Sequence, residues 1–270
     1  VHREPLDQQS LTDALAPPWQ RIDIVPQTGS TNADLLERAA SGDDIDGNVL
    51  IAEYQTAGRG RNGREWSAVP LSQIAMSVGV NAADVPIAGW GWLPLLTGVA
   101  VVDAVAAGTG VQAGLKWPND VLAGGLKLAG ILAEVSANQS VIAVGIGLNV
   151  TLLTGDIGLP DATSLLELGV KNLDRTALAR RILNELGARI HAWQTYGGAD
   201  DQLIADYRSR SLTVGSPVRA VLPGDREIVG VARSIDGQGR LLIGPGDSDD
   251  TGERSVAVSA GDIVHLRPAP

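Results

Sequence analysis

The spacing of apolar residues changes several times along the chain, and each change marks an element. In "STNADLLERAA", Leu35, Leu36 and Ala39 share one helical face, and Thr31 with Asp34 supplies the T-x-x-D signal of a capping box. The apolar runs "NVLIAEYQ" (48–55) and "SQIAMSVGV" (72–80) have strand length and predict buried strands. A long apolar helix is expected over roughly residues 89–107, and another helical stretch over 174–208. "GLKWPNDVLA" sets a Pro-Asn-Asp turn between two short strands. "LKLAGILAEV" and "SVIAVGIGLNV" form a pair of adjacent strands joined at Asn138-Gln139. The first 20 residues offer only a short helix, "LTDALA", before Pro17-Pro18.

After Ser211 the pattern becomes one of short alternating strands separated by Gly and Asp turns, for about sixty residues, as in a small all-β barrel. The expected fold class is therefore α+β: a mixed-sheet body packed with helices over residues 1–211, then a small β domain over 212–270.

Composition narrows the chemistry. The 270 residues carry a net charge of −10, so a general nucleic-acid coat is disfavoured and any anion site must be local. Cysteine is absent, which excludes disulfides, thiolate zinc sites and cysteine nucleophiles. The histidines, His2, His191 and His265, have no metal-binding spacing. The most apolar stretch, 92–108, is broken by Pro94, Gly98 and Asp103, and the N-terminus lacks a signal-peptide core. A cytoplasmic protein without a membrane partner is expected. The N-terminal segment is too short for a helix-turn-helix, so no DNA partner is expected either. The basic residues are 18 arginines and only three lysines, Lys116, Lys127 and Lys171, which makes each lysine informative.

Against this acidic background, "AEYQTAGRGRNGREW" places Gly58, Gly60, Gly63, Arg59, Arg61 and Arg64 within seven positions. A dinucleotide fingerprint would need a helix next, but Pro70 and strand-like residues follow. A solvated hairpin loop and a mobile loop closing on a small phosphate-bearing ligand both remain open. In "KWPND", Lys116 and Asp120 flank a rigid turn, as a plain β-turn or as a cation–carboxylate pair suited to phosphate and metal. Lys127 lies in an otherwise apolar strand: facing inward it needs an anion, facing outward it is trivial. Ser30-Thr31-Asn32 is either an ordinary helix cap or a set of donors for a polar ligand.

In this order, S-T-N, E-Y-Q-x-A-G-R-G-R-x-G-R-x-W, K-W-P-N-D, K-L-A-G-I-L and G-x-G-L-N-V resemble the motif series of the biotin–protein ligases, from about Thr28 to Val150. The resemblance implies a catalytic domain like that of class II aminoacyl-tRNA synthetases, then an SH3-like barrel. It also implies Mg²⁺-ATP-dependent activation of biotin as biotinyl-5′-AMP and transfer to a lysine of a biotin carboxyl carrier domain. On that basis Ser30, Thr31, Asn32 and Gln55 would hold the ureido end of biotin. Gly58, Arg59, Gly60 and Arg61 would form a lid, and Arg64 would position phosphates. Trp66, Gly130 and Ile131 would line the biotin slot. Lys127 would reach the carboxylate and α-phosphate, while Lys116, Asn119 and Asn149 would lie on the ATP side. Arg59, Arg61 and Lys127 would assist the chemistry, and Asp120 would contact metal or the acceptor lysine. Some family members stack a tryptophan on adenine where this chain reads "PDATSLLEL", without an aromatic. A lipoate–protein ligase is the neighbouring alternative; a non-enzymatic binding protein is the alternative from another class.

Overall fold

The computed structural model describes residues 3–14, 16–137, 139–222, 226–245, 255–259 and 262–265. Its body is a seven-stranded sheet in the order β1-β2-β3-β7-β6-β5-β4. The strands are β1 (Arg21–Val25), β2 (Asn48–Ala52), β3 (Gln73–Asn81), β4 (Gly114–Lys116), β5 (Asp120–Ala123), β6 (Leu126–Val135) and β7 (Val141–Asn149). Only β1 and β2 run parallel; the remaining pairs are antiparallel, and a short helix, α1 (Gln8–Asp13), precedes β1.

β3 is buried almost throughout because both its faces are covered. Ile74, Met76, Val78 and Val80 belong to the main core with α3 (Leu93–Thr109) and α4 (Arg175–Tyr196). The alternate residues, Gln73, Ala75, Ser77 and Gly79, face the other way. There α2 (Thr31–Ala40) covers one end through Leu35, above Leu50 and Ala143, and the rest of that face is left for the site. Asn138 lies outside the described residues, so the β6–β7 turn is placed only by its flanks.

Three expectations change. Thr31 and Asp34 do not form a capping box: Ser30 is the N-cap without a side-chain bond, and Asp34 accepts instead from Thr28 Oγ1 at 2.5 Å. The long apolar helix forms as expected, but Pro94, Gly98 and Asp103, expected to break the apolar stretch, do not interrupt it. Pro94 sits in its first turn, where no N–H is needed, and Gly98 admits Leu115, whose Cδ2 lies 2.8 Å from where a β-carbon would stand. Residues Ile87–Thr109 are long and apolar enough to cross a membrane by composition, yet here they form the mostly buried central helix of the core. Finally, the 174–208 stretch is two helices, α4 and α5 (Asp201–Arg210), divided where Gly197 takes a left-handed φ of 68°. An aspartate caps each start: Asp174 accepts from Ala177 N and Asp200 from Leu203 N.

The second sheet is wholly antiparallel, in the order β11-β10-β9-β8-β12, as expected for the small barrel. It comprises β8 (Pro217–Leu222), β9 (Arg226–Ile235), β10 (Leu241–Gly244), β11 (Val256–Val258) and β12 (Asp262–His265). Two indoles of the body dock its β9–β10 turn: Trp92 Nε1 donates to Asp236 O at 2.9 Å and Trp117 Nε1 to Gly239 O at 3.0 Å. These bonds fix the small sheet beside the motif turn at 116–120.

Candidate functional site

A cavity of about 390 Å³ opens on the sheet face that α2 leaves uncovered. Its floor is made of glycine. Ser77 pairs with Gly145, and Gly130 with Gly147, so the middle strands present backbone where side chains would otherwise stand. A β-carbon on Gly145 would lie 2.7 Å from Asn32 Oδ1, and one on Gly147 only 2.4 Å from the Trp66 indole. The missing side chains thus make room for Asn32 at one end and Trp66 in the middle.

The end beneath α2 is polar and buried. Thr31 Oγ1 lies 2.6 Å from Ser77 Oγ and 3.1 Å from Gln55 Oε1, and Ser77 Oγ lies 2.6 Å from Asn32 Oδ1. Asn32 Nδ2 donates to Leu132 O at 3.0 Å and to Glu134 at 2.8 Å, which fixes its amide with the oxygen towards Ser77. Gln55 Oε1 accepts the backbone N–H of Thr31 at 2.9 Å. Two hydroxyl protons therefore serve three oxygen–oxygen contacts. If they run from Thr31 to Ser77 to Asn32, Gln55 Oε1 keeps room for another donor.

The opposite end is cationic. Arg61, Lys116 and Lys127 gather there at the 116–120 turn with Asp120, and Arg59 and Arg64 also line the cavity, although the whole chain is at −10. Lys127 Nζ lies 2.6 Å from Asp120 Oδ1, an ion pair by distance without the angles of an aligned hydrogen bond, and 5.4 Å from the Trp66 ring centroid. Strict alternation would not put Lys127 on the same face as Gly130, three positions away. A register shift between β5 and β6 does so: Val121 pairs with Ala129 but Leu122 with Lys127, leaving Leu128 as the extra residue.

The arginine loop folds over the cavity as a closed turn. Gly60 N donates to Arg64 O at 2.7 Å and Trp66 N to Gly58 O at 2.8 Å, while Asn62 and Gly63 take positive φ at the tip. Gly58 is required because a β-carbon there would sit 2.4 Å from Trp66 O. Arg59 pairs with Glu134 at 3.3 Å, and Arg61 donates to Asn119 Oδ1 at 3.3 Å.

Most of the expected residues converge here: Ser30, Thr31, Asn32, Gln55, Arg59, Gly60, Arg61, Arg64, Trp66, Lys116, Asn119, Asp120, Lys127, Gly130 and Ile131 all line the cavity. Gly58 supports the loop from behind rather than lining it. Asn149 is buried behind the cavity: its Nδ2 donates to Thr163 O at 3.0 Å, and its Oδ1 has no partner among the described residues. The expected pairing of Lys116 with Asp120 is replaced by Lys127 with Asp120, because the bulge brings Lys127 closer. Among the described residues no group of three metal-ligating side chains surrounds Asp120 or any other position. Sequence reasoning missed Ser77, Gln73, Glu134, Gly145 and Gly147. The glycines carried a signal, since two at i and i+2 in a strand leave one face bare.

Behind the turn at 116–120, Trp117 N donates to Thr213 Oγ1 at 3.0 Å, which lies 3.0 Å from His265 Nε2. Thr213 Oγ1 keeps a second lone pair, so it can accept from a ring N–H or donate to the bare ring nitrogen of a neutral imidazole. Burial, and secondarily the nearby Lys116 charge, lower the His265 pKa and favour that form.

Comparison with known proteins matches this geometry. The model of the biotin/lipoate A/B protein ligase family matches residues 24–151, and that of the biotin protein ligase C-terminal domain matches residues 213–266. The chain is 58% identical over 271 residues to the biotin–[acetyl-CoA-carboxylase] ligase of Mycobacterium tuberculosis, covering 98% of this chain and 97% of that one. It is 34% identical to the bifunctional ligase/repressor BirA of Escherichia coli, over 82% of this chain and 68% of the relative. Among solved structures, the biotin protein ligase from Aquifex aeolicus in complex with biotin and ATP superposes with a TM-score of 0.77 at 26% identity, covering 93% of this chain and all of that one. With that identity extending along nearly its whole length, the chain belongs to the biotin protein ligase family.

Proposed function

We propose that the protein joins biotin to AMP and then to a carrier protein. A biotin carboxylate oxygen attacks the α-phosphorus of Mg²⁺-ATP, the bond to the β-phosphate oxygen breaks, and pyrophosphate leaves. The amine of a lysine on a biotin carboxyl carrier domain of a carboxylase then attacks the acyl carbon of biotinyl-5′-AMP, expelling AMP and losing a proton as the amide forms. Residues 1–211 would carry this chemistry, with 212–270 as the appended β domain.

The observation that carries this proposal is the polarity of one cavity: fixed hydrogen-bonding groups at one end, a glycine floor between, and Arg61, Lys116 and Lys127 at the other, with Arg59 and Arg64 also in its lining. A ureido group offers both donors and an acceptor to Thr31, Asn32, Gln55 and Ser77, whereas the dithiolane of lipoate would leave them unpaired. That difference favours biotin over lipoate. The cationic end offsets the charge that accumulates where a carboxylate meets a triphosphate. Lys127 would contact the reacting carboxylate and α-phosphate, with Arg59, Arg61 and Arg64 closing over them. Lys116 and Asn119 would face the nucleotide, and the open acceptor of Asn149 suits an amino donor at the nucleotide side. Mg²⁺ would enter with ATP: phosphate oxygens and water supply most of its ligands, so one protein carboxylate, Asp120, suffices. Incubation with biotin, Mg²⁺-ATP and a carrier domain should raise the carrier's intact mass by one biotinyl group. An unchanged mass, or equal labelling with lipoate, would contradict the assignment.

A further inference from the structure

Trp66 comes from the arginine loop, yet its indole lies deep enough to touch the strands. Beneath it are Gly147, where a β-carbon would stand 2.4 Å from the ring, and Gly130, where one would stand 2.9 Å away. Glycines make room for a ring but do not hold it in one orientation. The directional contact comes from Gln73: Trp66 Nε1 donates to Gln73 Oε1 at 2.6 Å. An indole nitrogen can only donate, so this bond also fixes which way the Gln73 amide points.

Gln73 is itself anchored. It is 2% exposed and pairs with Asn149 across β3 and β7. Its backbone carbonyl accepts from Arg175 Nη1 at 2.9 Å, and the same guanidinium forms a buried ion pair with Glu53 at 2.7 Å. A line of contacts thus runs from the core, through Gln73, to the ring that faces Lys127 at 5.4 Å.

We infer that Gln73 is a positioning residue for adenylation, whose side-chain oxygen holds the Trp66 indole as a wall of the biotin slot and as the platform under Lys127. The kinetic consequence rests on the proposed ligase activity; the contact itself does not.

A double-mutant cycle of Gln73→Met with Trp66→Phe in the full chain tests this. Gln73→Met should raise the biotin KM in pyrophosphate exchange roughly five- to tenfold, the effect of one buried hydrogen bond, with kcat within about twofold. Tryptophan emission should shift as well. Both changes should vanish in the Trp66→Phe background, because Gln73 acts only through that ring. Equal effects in both backgrounds, or none in either, would overturn the inference. A measurement that does not need the Gln73 variant to fold uses indole-¹⁵N-labelled wild-type protein, with the Trp66 signal assigned by its loss in Trp66→Phe. Slow solvent exchange of that N–H is expected, and fast exchange would overturn the contact. Absence of any biotin-dependent exchange in the wild type would contradict the ligase assignment alone, leaving the spectroscopic arms to decide the role of Gln73.

Discussion

Lys127 reaches Asp120 across the β5–β6 bulge, with Nζ 2.6 Å from the carboxylate, and so faces the cavity rather than solvent. Lys127→Arg should therefore lose biotinyl-adenylate formation nearly as severely as Lys127→Ala, about a hundred- to a thousandfold. A planar guanidinium cannot converge on a carboxylate and a phosphate in the space that a compact ammonium fills. Exposed Lys171→Arg is the control and should keep wild-type rates. Single-turnover adenylate formation in the three variants measures this, and near-normal activity of Lys127→Arg would remove Lys127 from the mechanism.

The glycine floor gives a second prediction. Gly147→Ala places a methyl group 2.4 Å from the Trp66 indole, and that strain, about 1–3 kcal/mol for overpacking, should displace the ring and not unfold the strand. Biotin affinity should fall at least roughly tenfold. Gly155→Ala, with nothing within 4 Å, should leave it unchanged. Titration calorimetry with biotin measures both.

The order of motifs along the chain sufficed to identify the residues around the cavity, because S-T-N, the arginine loop, K-W-P-N-D and K-L-A-G-I-L each stand at an element end that faces it. What the sequence left illegible depends on register. Nothing in "LKLAG" announces the extra residue that turns Lys127 towards Asp120, the carboxylate expected to pair with Lys116. Ser77 and Gln73 lie in an apolar strand whose two faces are both buried, so alternation gave no sign of which side held the site. Nothing in "ILAEV" marks Glu134, yet it joins Asn32 to Arg59. The capping box failed because Asp34 was taken by Thr28, a partner outside the motif.

Protonation of His265 should weaken the small sheet's hold on the 116–120 turn. Its pKa lies below the ordinary 6.5, so the unfolded chain binds the proton first as pH falls. Stability is thus fully present above about pH 6.5 and declines below it, towards the lowered folded-state value. The thermal midpoint should drop more between about pH 7.5 and 5.5 in the wild type than in His265→Gln, which keeps an acceptor but does not titrate. Identical pH profiles would show that the Thr213–His265 contact contributes nothing.

The arginine loop should gain protection when substrates bind. Its three glycines make ordering costly in entropy, and its clustered guanidinium groups, of which Arg59 already pairs with Glu134, gain further anionic partners when a carboxylate and phosphates arrive. Hydrogen exchange over residues 58–66 should slow with biotin plus Mg²⁺-ATP. Equal exchange with and without them would contradict a closing role.

The cavity's two ends, polar for a ureido ring and cationic for a phosphoanhydride, are tested together by isotope exchange between pyrophosphate and ATP. Exchange is expected only when biotin is present, with no carrier protein required and with lipoate unable to substitute. Exchange that proceeds without biotin or equally with lipoate, or that is absent with biotin and Mg²⁺-ATP both saturating, would contradict the account.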